Sequence, residues 1–388
     1  MQADFHYYAA YAAAYLAGYS HEDCLTICYS NQFVDCCSKT LLKKVKGPDF
    51  AATTQLQLEM MDMKTDILGL ADITRIWSSF HFLPYDLHAK RKGCGRAYLR
   101  KYRLICNSNG ALVKDIVENA KDGSLQSIGI AMHTLSDTWA HKYFAGTPSM
   151  VINSTDYHFF EVLNEDGKDV DKKIDFIHTL GVADDIEKSV YTSSLAQPSE
   201  NAIMNLGHGR AGHLPDYSFV RYKYLPAWGD YEEIYKDNPA DYYKAFSQMV
   251  YALKYLNNKV SDFELDTYDT EGVEPYSDRI ESILKKRQLI ASNDWKAFCE
   301  ELSGQTIEDF DMNKYQDEYC NAEKEEKYDT FLGKFFVAAM KQKNLVSEKI
   351  YESGSRIAGY PAKYTHVLVK KAIKLIDKIS NGEKKEDE

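Results

Sequence analysis

Residues 129–141 constrain this chain more than any other stretch, because they repeat a metal-ligating residue type every four positions: His133, Asp137 and His141. On an α-helix each such step turns ~400°, so the three side chains climb one face and drift only ~80° across it. Ile130, Leu135, Trp139 and Ala140 are apolar, which places most of this helix in a core. Buried imidazole and carboxylate groups are costly unless satisfied. Ordinary hydrogen bonds are one solution and metal coordination is another. At ~1.5 Å rise per residue, His133 and His141 stand about 12 Å apart along the axis. That is too far to share one ion through bonds of ~2 Å. The spacing therefore points to at least two ions, with Asp137 between them as a bridge.

The 388 residues suffice for a large core, as one big domain or a domain with an appendage. A formal net charge of −11 argues against wrapping duplex nucleic acid through a basic face, while leaving a local basic patch open. The 29 tyrosines and 17 phenylalanines suit an aromatic-lined cleft. Eight cysteines need not pair in a chain of this length, and Cys24 and Cys28, four apart, read as buried thiols. No basic start precedes the apolar run from Phe5 to Tyr19, and His6 interrupts it. It reads as a core helix rather than a signal peptide or membrane span, and the expected location is cytoplasmic.

Along the chain, 4–18 reads as a helix with Asp4 as N-cap and Gly18 as C-cap, and Ser20 with Asp23 opens a second helix. Residues 51–75 are mixed. A cluster of Lys90, Arg91, Lys92, Arg96, Arg100, Lys101 and Arg103 reads as a solvated helix face, or as a rim that attracts phosphate. Helices are expected at 110–120, 124–144, 156–164 and 239–260. The acidic stretch from Asp262 to Tyr276 is the linker candidate. Residues 277–380 read as further amphipathic helices, the last over 362–379, which suits either core packing or a membrane surface; a charged, disordered tail follows at 381–388. There is no phosphate-binding glycine loop and no Gly-x-Ser-x-Gly elbow.

The remaining histidines and acids sit where ligands would. His81 lies in the apolar loop from Phe80 to Pro84. His208 and His213 flank a glycine-rich turn that ends at Pro215-Asp216. His6 lies among alanines, and Asp35 ends the step Gln32-Phe33-Val34. Each alone suits a hydrogen-bonded core histidine or a helix-terminal carboxylate; together they supply ligands for two or three zinc ions.

The ordered set formed by Asp4-Phe5-His6-Tyr7-Tyr8, Gln32 to Asp35, the 133–137–141 helix, and Gly207-His208 through Asp216 resembles the zinc-dependent phospholipase C and single-strand nuclease superfamily. The likeness lies closest to an uncharacterised bacterial branch and covers about 1–260. It implies an all-α, multi-helical bundle around a metal cluster. By that resemblance 1–262 would be the metal-binding catalytic domain, and 277–380 extra C-terminal helices packed on it. Asp35, His81, His133 and Asp137 would hold one ion, with Asp137 touching a second. His141, His208 and either His213 or Asp216 would hold another. The superfamily's third ion uses the amino group of an N-terminal Trp; this chain has Met1 there, and His6 is the candidate substitute. The implied activity is metal-dependent phosphodiester hydrolysis, with Asp35 orienting or deprotonating water. The substrate would be a phospholipid head group, a nucleotide or single-stranded nucleic acid, and the rival reading is an inactive, metal-stabilised binding protein.

Overall fold

The computed structural model describes residues 1–63, 67–155, 158–177, 182–193 and 206–362; the expected helix at 362–379, apart from its first residue, and the tail at 381–388 lie outside them. The chain opens with a π-helical turn, Asp4–Ala9, that runs directly into α1 (Ala10–Leu16). Asp4 is not the cap expected of it. It lies within the first turn, and its carboxylate accepts from the amides of Phe5 and Ala291. α2 (His21–Phe33) is capped by Ser20, whose hydroxyl accepts from the Asp23 amide, as the spacing implies. α3 (Lys39–Val45), α4 (Gln57–Met63) and α5 (Ile67–Phe80) follow, then the short α6 (Arg96–Tyr102) and α7 (Ala111–Lys121). α8 (Leu125–Ala140) carries the histidine–aspartate repeat, and α9 (Met150–Asn153) is a single turn.

The all-α expectation is overturned: the fold is mixed, 52% helix and 10% strand. Of the helix expected at 156–164, the described residues 158–164 are not helical. Phe160–Glu165 forms β1, which turns through Asp166-Gly167 into β2 (Lys168–Lys173), with Glu165 opposite Lys168. Both turn residues have positive φ, +51° and +78°. An Asp-Gly pair takes up that conformation at little cost and closes a two-residue hairpin. β5 (Arg221–Tyr224) and β6 (Ile234–Asp237) complete an antiparallel sheet of order β2-β1-β5-β6, and β3 (Asp175–Ile177) pairs in parallel with β4 (Val190–Thr192).

α10 (Asn238–Leu256) packs on α8 and α1. The stretch expected to be a linker instead holds α11 (Thr270–Val273) and a 3-10 turn, Glu274–Tyr276. α12 (Ser277–Lys285), α13 (Ser292–Ser303), α14 (Gln316–Asn321) and α15 (Phe331–Glu352) follow. These C-terminal helices share the main core: Trp295, Phe298 and Phe335 belong to the same buried cluster as Phe5, Phe33 and Ile130. α13 packs against the opening π turn, and α15 lies on α5 and α8, where Gln342 donates to the Ser79 carbonyl and to Thr134 Oγ1. α8 is thus enclosed by α2, α5, α7, α10 and α15. Among the described residues no helix is long and apolar enough to cross a membrane.

Candidate metal centre

α8 is buried along nearly its whole length, and its approach to α2 depends on Gly129. A Cβ at Gly129 would stand 2.5 Å from the Ile27 carbonyl oxygen and 2.6 Å from Ser30 Cβ. Without it the two helices close up, and the Asn31 carbonyl comes within 2.9 Å of His133 Nδ1. A carbonyl only accepts, so His133 carries its proton on Nδ1 and turns the lone pair of Nε2 inward.

Three other histidines follow the same rule. His81 Nε2 donates to the Thr53 carbonyl at 3.0 Å, His141 Nδ1 to the His81 carbonyl at 2.8 Å, and His208 Nδ1 to the Gly212 carbonyl at 2.7 Å. Each ring is held by one nitrogen and presents the other. Backbone carbonyls that orient imidazoles in this way are the usual outer partners of metal-ligating histidines. His6, 1% exposed, stacks on His133 with ring centroids 3.9 Å apart, and both its ring nitrogens lack a hydrogen-bond partner.

The presented atoms converge on Asp137. Its Oδ2 lies 3.2 Å from both His81 Nδ1 and His133 Nε2, which are themselves 3.2 Å apart, while Asp35 Oδ1 stands 3.8 Å from each nitrogen. Its Oδ1 lies 3.2 Å from His6 Nε2 and 2.8 Å from the Met1 amino nitrogen. That amino group is also 3.3 Å from Asp216 Oδ1 and 3.5 Å from His141 Nε2. Asp216 Oδ1 is in turn 3.3 Å from His141 Nε2, and its Oδ2 is 3.6 Å from His208 Nε2. Three groups could each hold a metal ion: His6, His133 and Asp137; Asp35, His81 and His133; His141, His208 and Asp216. Tetrahedral ligands with bonds of ~2 Å stand about 3.3 Å from one another, close to these separations.

Electrostatics agree with the geometry. Burial pulls His6, His133 and His208 down to about 4, with His133 adding to the shift at His6, so the rings are neutral and their lone pairs free. Burial alone would raise Asp137 and Asp216, yet the surrounding histidines and the Met1 amino group hold both well below the usual carboxylate range. Asp35 goes the other way, raised chiefly by burial and also by the charge of Asp137. Burial opposes the charge of the Met1 amino group, but Asp137, Asp216 and Asp35 outweigh it and raise the group to about 11.

Of the two expected alternatives, Asp216 joins the donor group and His213 stands outside it. The His213 side chain is 55% exposed, hydrogen-bonded through Nδ1 to Asp216 Oδ2, and that bond raises its pKa. It lines a cleft of about 550 Å³ with Gln2, Asp184, Tyr217 and Ile290. Phe82 stacks on His141 with ring centroids 4.6 Å apart. The ring has room because Gly207, at φ +53°, lacks a Cβ that would stand 2.2 Å from it.

The amino group of Met1 and the orienting carbonyls of Asn31, Thr53, His81 and Gly212 escape a reading of side-chain types, since backbone atoms carry no sequence signal. No curated protein and no solved structure matches this chain. The model of one family matches residues 1–350, which takes in every donor of the centre and all but the last two residues of α15. The chain belongs to that family, described as "Family of unknown function (DUF6765)".

Proposed function

We propose that the chain is a metal-dependent phosphodiester hydrolase whose centre holds two or three zinc ions. The observation that carries this reading is the convergence of His81 Nδ1, His133 Nε2 and Asp137 Oδ2, each 3.2 Å from the other two, while the second nitrogen of each ring lies against a backbone carbonyl. Three lone-pair-bearing atoms facing one another need a cation. His and carboxylate donors in this number suit zinc. Clustered cations of this kind polarise phosphoryl oxygens, activate water near neutral pH and offset charge on the leaving oxygen.

The chain's own groups supply the rest. Asp137 turns one oxygen to the His81–His133 pair and the other to His6 and Met1, as a bridging ligand would. The Asp35 side chain, a third exposed and raised in pKa, can accept a proton from water on the open side. A substrate phosphate would enter by the cleft that has His213 on its wall, and His213 is bonded to the donor Asp216. A phospholipid head group and a nucleotide share that phosphodiester.

Protein purified without a metal-binding tag, analysed for elements and assayed on a chromogenic phosphodiester, tests the reading. Two to three ions per chain with chelator-sensitive hydrolysis supports it. Fewer than one ion per chain after zinc reconstitution rejects it. Bound ions without hydrolysis favour a metal-stabilised binding protein.

A further inference from the structure

α6 is a short helix with no buried residue. It lies in the basic stretch 85–106, which carries seven lysines and arginines against one acid, Asp86, in a chain of net charge −11. Arg91 pairs with the Asp230 carboxylate. For Lys90, Lys92, Arg96, Arg100, Lys101 and Arg103, no carboxylate of the described residues lies within ion-pair distance. The stretch is nevertheless firmly seated. It leaves the core at Pro84, which bridges to Cys106, and returns through Ile105, which bridges to Ala145. Cys106 exchanges backbone hydrogen bonds with Tyr143 and Phe144, just past His141.

α6 packs on α9, whose Met150 and Val151 are 43% and 50% exposed. Cations with no carboxylate partner among the described residues therefore stand beside protruding aliphatic side chains. From this juxtaposition we propose that the face formed by residues 85–106 and α9 docks on an anionic lipid bilayer. Cations near an anionic leaflet are attracted to it, and neighbouring apolar side chains enter the head-group and acyl boundary. The rest of the described residues are acidic on balance, so among them this is the face drawn to the leaflet. A nucleic-acid strand fits less well, because base stacking needs open ring faces and of the three tyrosines in this stretch only Tyr85 is exposed. Tyr98 and Tyr102 stack on each other, and Arg91 covers both rings, its guanidinium 5.9 and 5.2 Å from their centroids. The proposal goes beyond the hydrolase reading and does not rest on it.

The test is co-sedimentation of the full, metal-loaded chain with vesicles of phosphatidylcholine alone or with phosphatidylserine added, at low and high salt. Binding is expected only with phosphatidylserine, and weakened by salt. The triple variant K90Q/K92Q/R96Q alters three exposed side chains and is expected to lose about 100-fold in affinity, at about fivefold per cation. It should keep the wild-type melting temperature and its hydrolysis of a soluble diester. M150S/V151S should weaken binding several-fold, through loss of buried apolar area. No sedimentation of the wild type at low salt, or equal binding by the triple variant, overturns the proposal. So does tighter binding to a single-stranded oligonucleotide than to vesicles, if the triple variant abolishes it. Because sedimentation requires no turnover, its failure leaves the hydrolase reading standing, and a failed hydrolysis assay leaves this one standing.

Discussion

Two carboxylates in this molecule are equally hidden, Asp137 in α8 and Glu161 in β1, each 1% exposed. Their surroundings are opposite. Glu161 accepts from Ser189 Oγ at 2.7 Å, from Tyr191 OH at 3.0 Å and from the Arg287 guanidinium, so donors face both its oxygens. Asp137 Oδ2 faces two imidazole nitrogens whose protons are spent elsewhere, on the carbonyls of Thr53 and Asn31. Glu161 is complete within the protein, whereas on the proposed reading Asp137 is completed by a cation. Burial by itself therefore does not mark a metal ligand. What sets Asp137 apart is an oxygen, Oδ2, that faces two imidazole nitrogens, while its Oδ1 accepts from the Met1 amino group.

The largest effect that separates the two sites is expected at Asp137. Asp137→Ala should strip more metal than any other ligand change, since its two oxygens serve two donor groups. A cation held at a thousand times its dissociation constant adds about 4 kcal/mol of stability. Chelation should accordingly lower the melting temperature of the wild type by several degrees and that of the variant far less. If His81→Ala or His208→Ala removes more metal, Asp137 does not bridge.

The second effect is on pH. His6, His133 and His208 are held near 4 by burial, below the ordinary 6.5, so the folded chain keeps them neutral while the unfolded chain protonates them first. Stability of the metal-free protein is therefore full above about 6.5. It falls as pH drops from there to about 4, with a limiting slope of about 1.4 kcal/mol per pH unit for each histidine. The Met1 amino group acts in the opposite sense: its contribution is present below about 8 and lost as pH rises through about 11. Chemical denaturation across this range measures both limbs. A profile flat from pH 7 to 4 would show that the three imidazoles are not buried neutral.

The contrast also explains what the sequence discloses. His133, Asp137 and His141 announce themselves because helical spacing turns sequence distance into a shared face, and the structure brings all three to one centre. His6, Asp35, His81, His208 and Asp216 are recognisable only as oddly placed polar residues until the fold gathers them. The amino group of Met1 has no side-chain signature at all. The sheet was hidden for another reason. In β1 the apolar residues Phe160, Val162 and Leu163 fit a helical face as readily as a strand, and the signal that decides is the Asp166-Gly167 turn beyond them. The Glu161 site cannot be read from the sequence, because Ser189, Tyr191 and Arg287 reach it from distant segments.

Glu161→Gln sharpens the comparison from the other side. The amide keeps the shape but brings a donor where Ser189 and Tyr191 already donate, and it leaves Arg287 without its charge partner. A loss of about 1–3 kcal/mol in denaturant unfolding is expected, with metal content unchanged. Loss of metal in this variant would mean that the sheet and the centre are coupled, and that the two carboxylates are not independent.

The smallest structural effect is expected at His213. Its ring is half exposed and touches the centre only through Asp216 Oδ2, which stays within reach of His208 when the ring is removed. A partly exposed pair of this kind contributes less than about 1 kcal/mol. His213→Ala should therefore melt close to the wild type and retain every ion. Hydrolysis is another matter, because the ring lines the cleft and its bond to Asp216 favours the protonated, hydrogen-bond-donating form. A group that meets the substrate on the cleft wall shows itself in KM, in kcat, or in the acid and base limbs of the pH–rate profile. A drop of about tenfold or more in kcat/KM at full metal content would place His213 with the substrate. Loss of an ion would return it to the ligand set beside Asp216, and the boundary between donors and cleft would have to be redrawn.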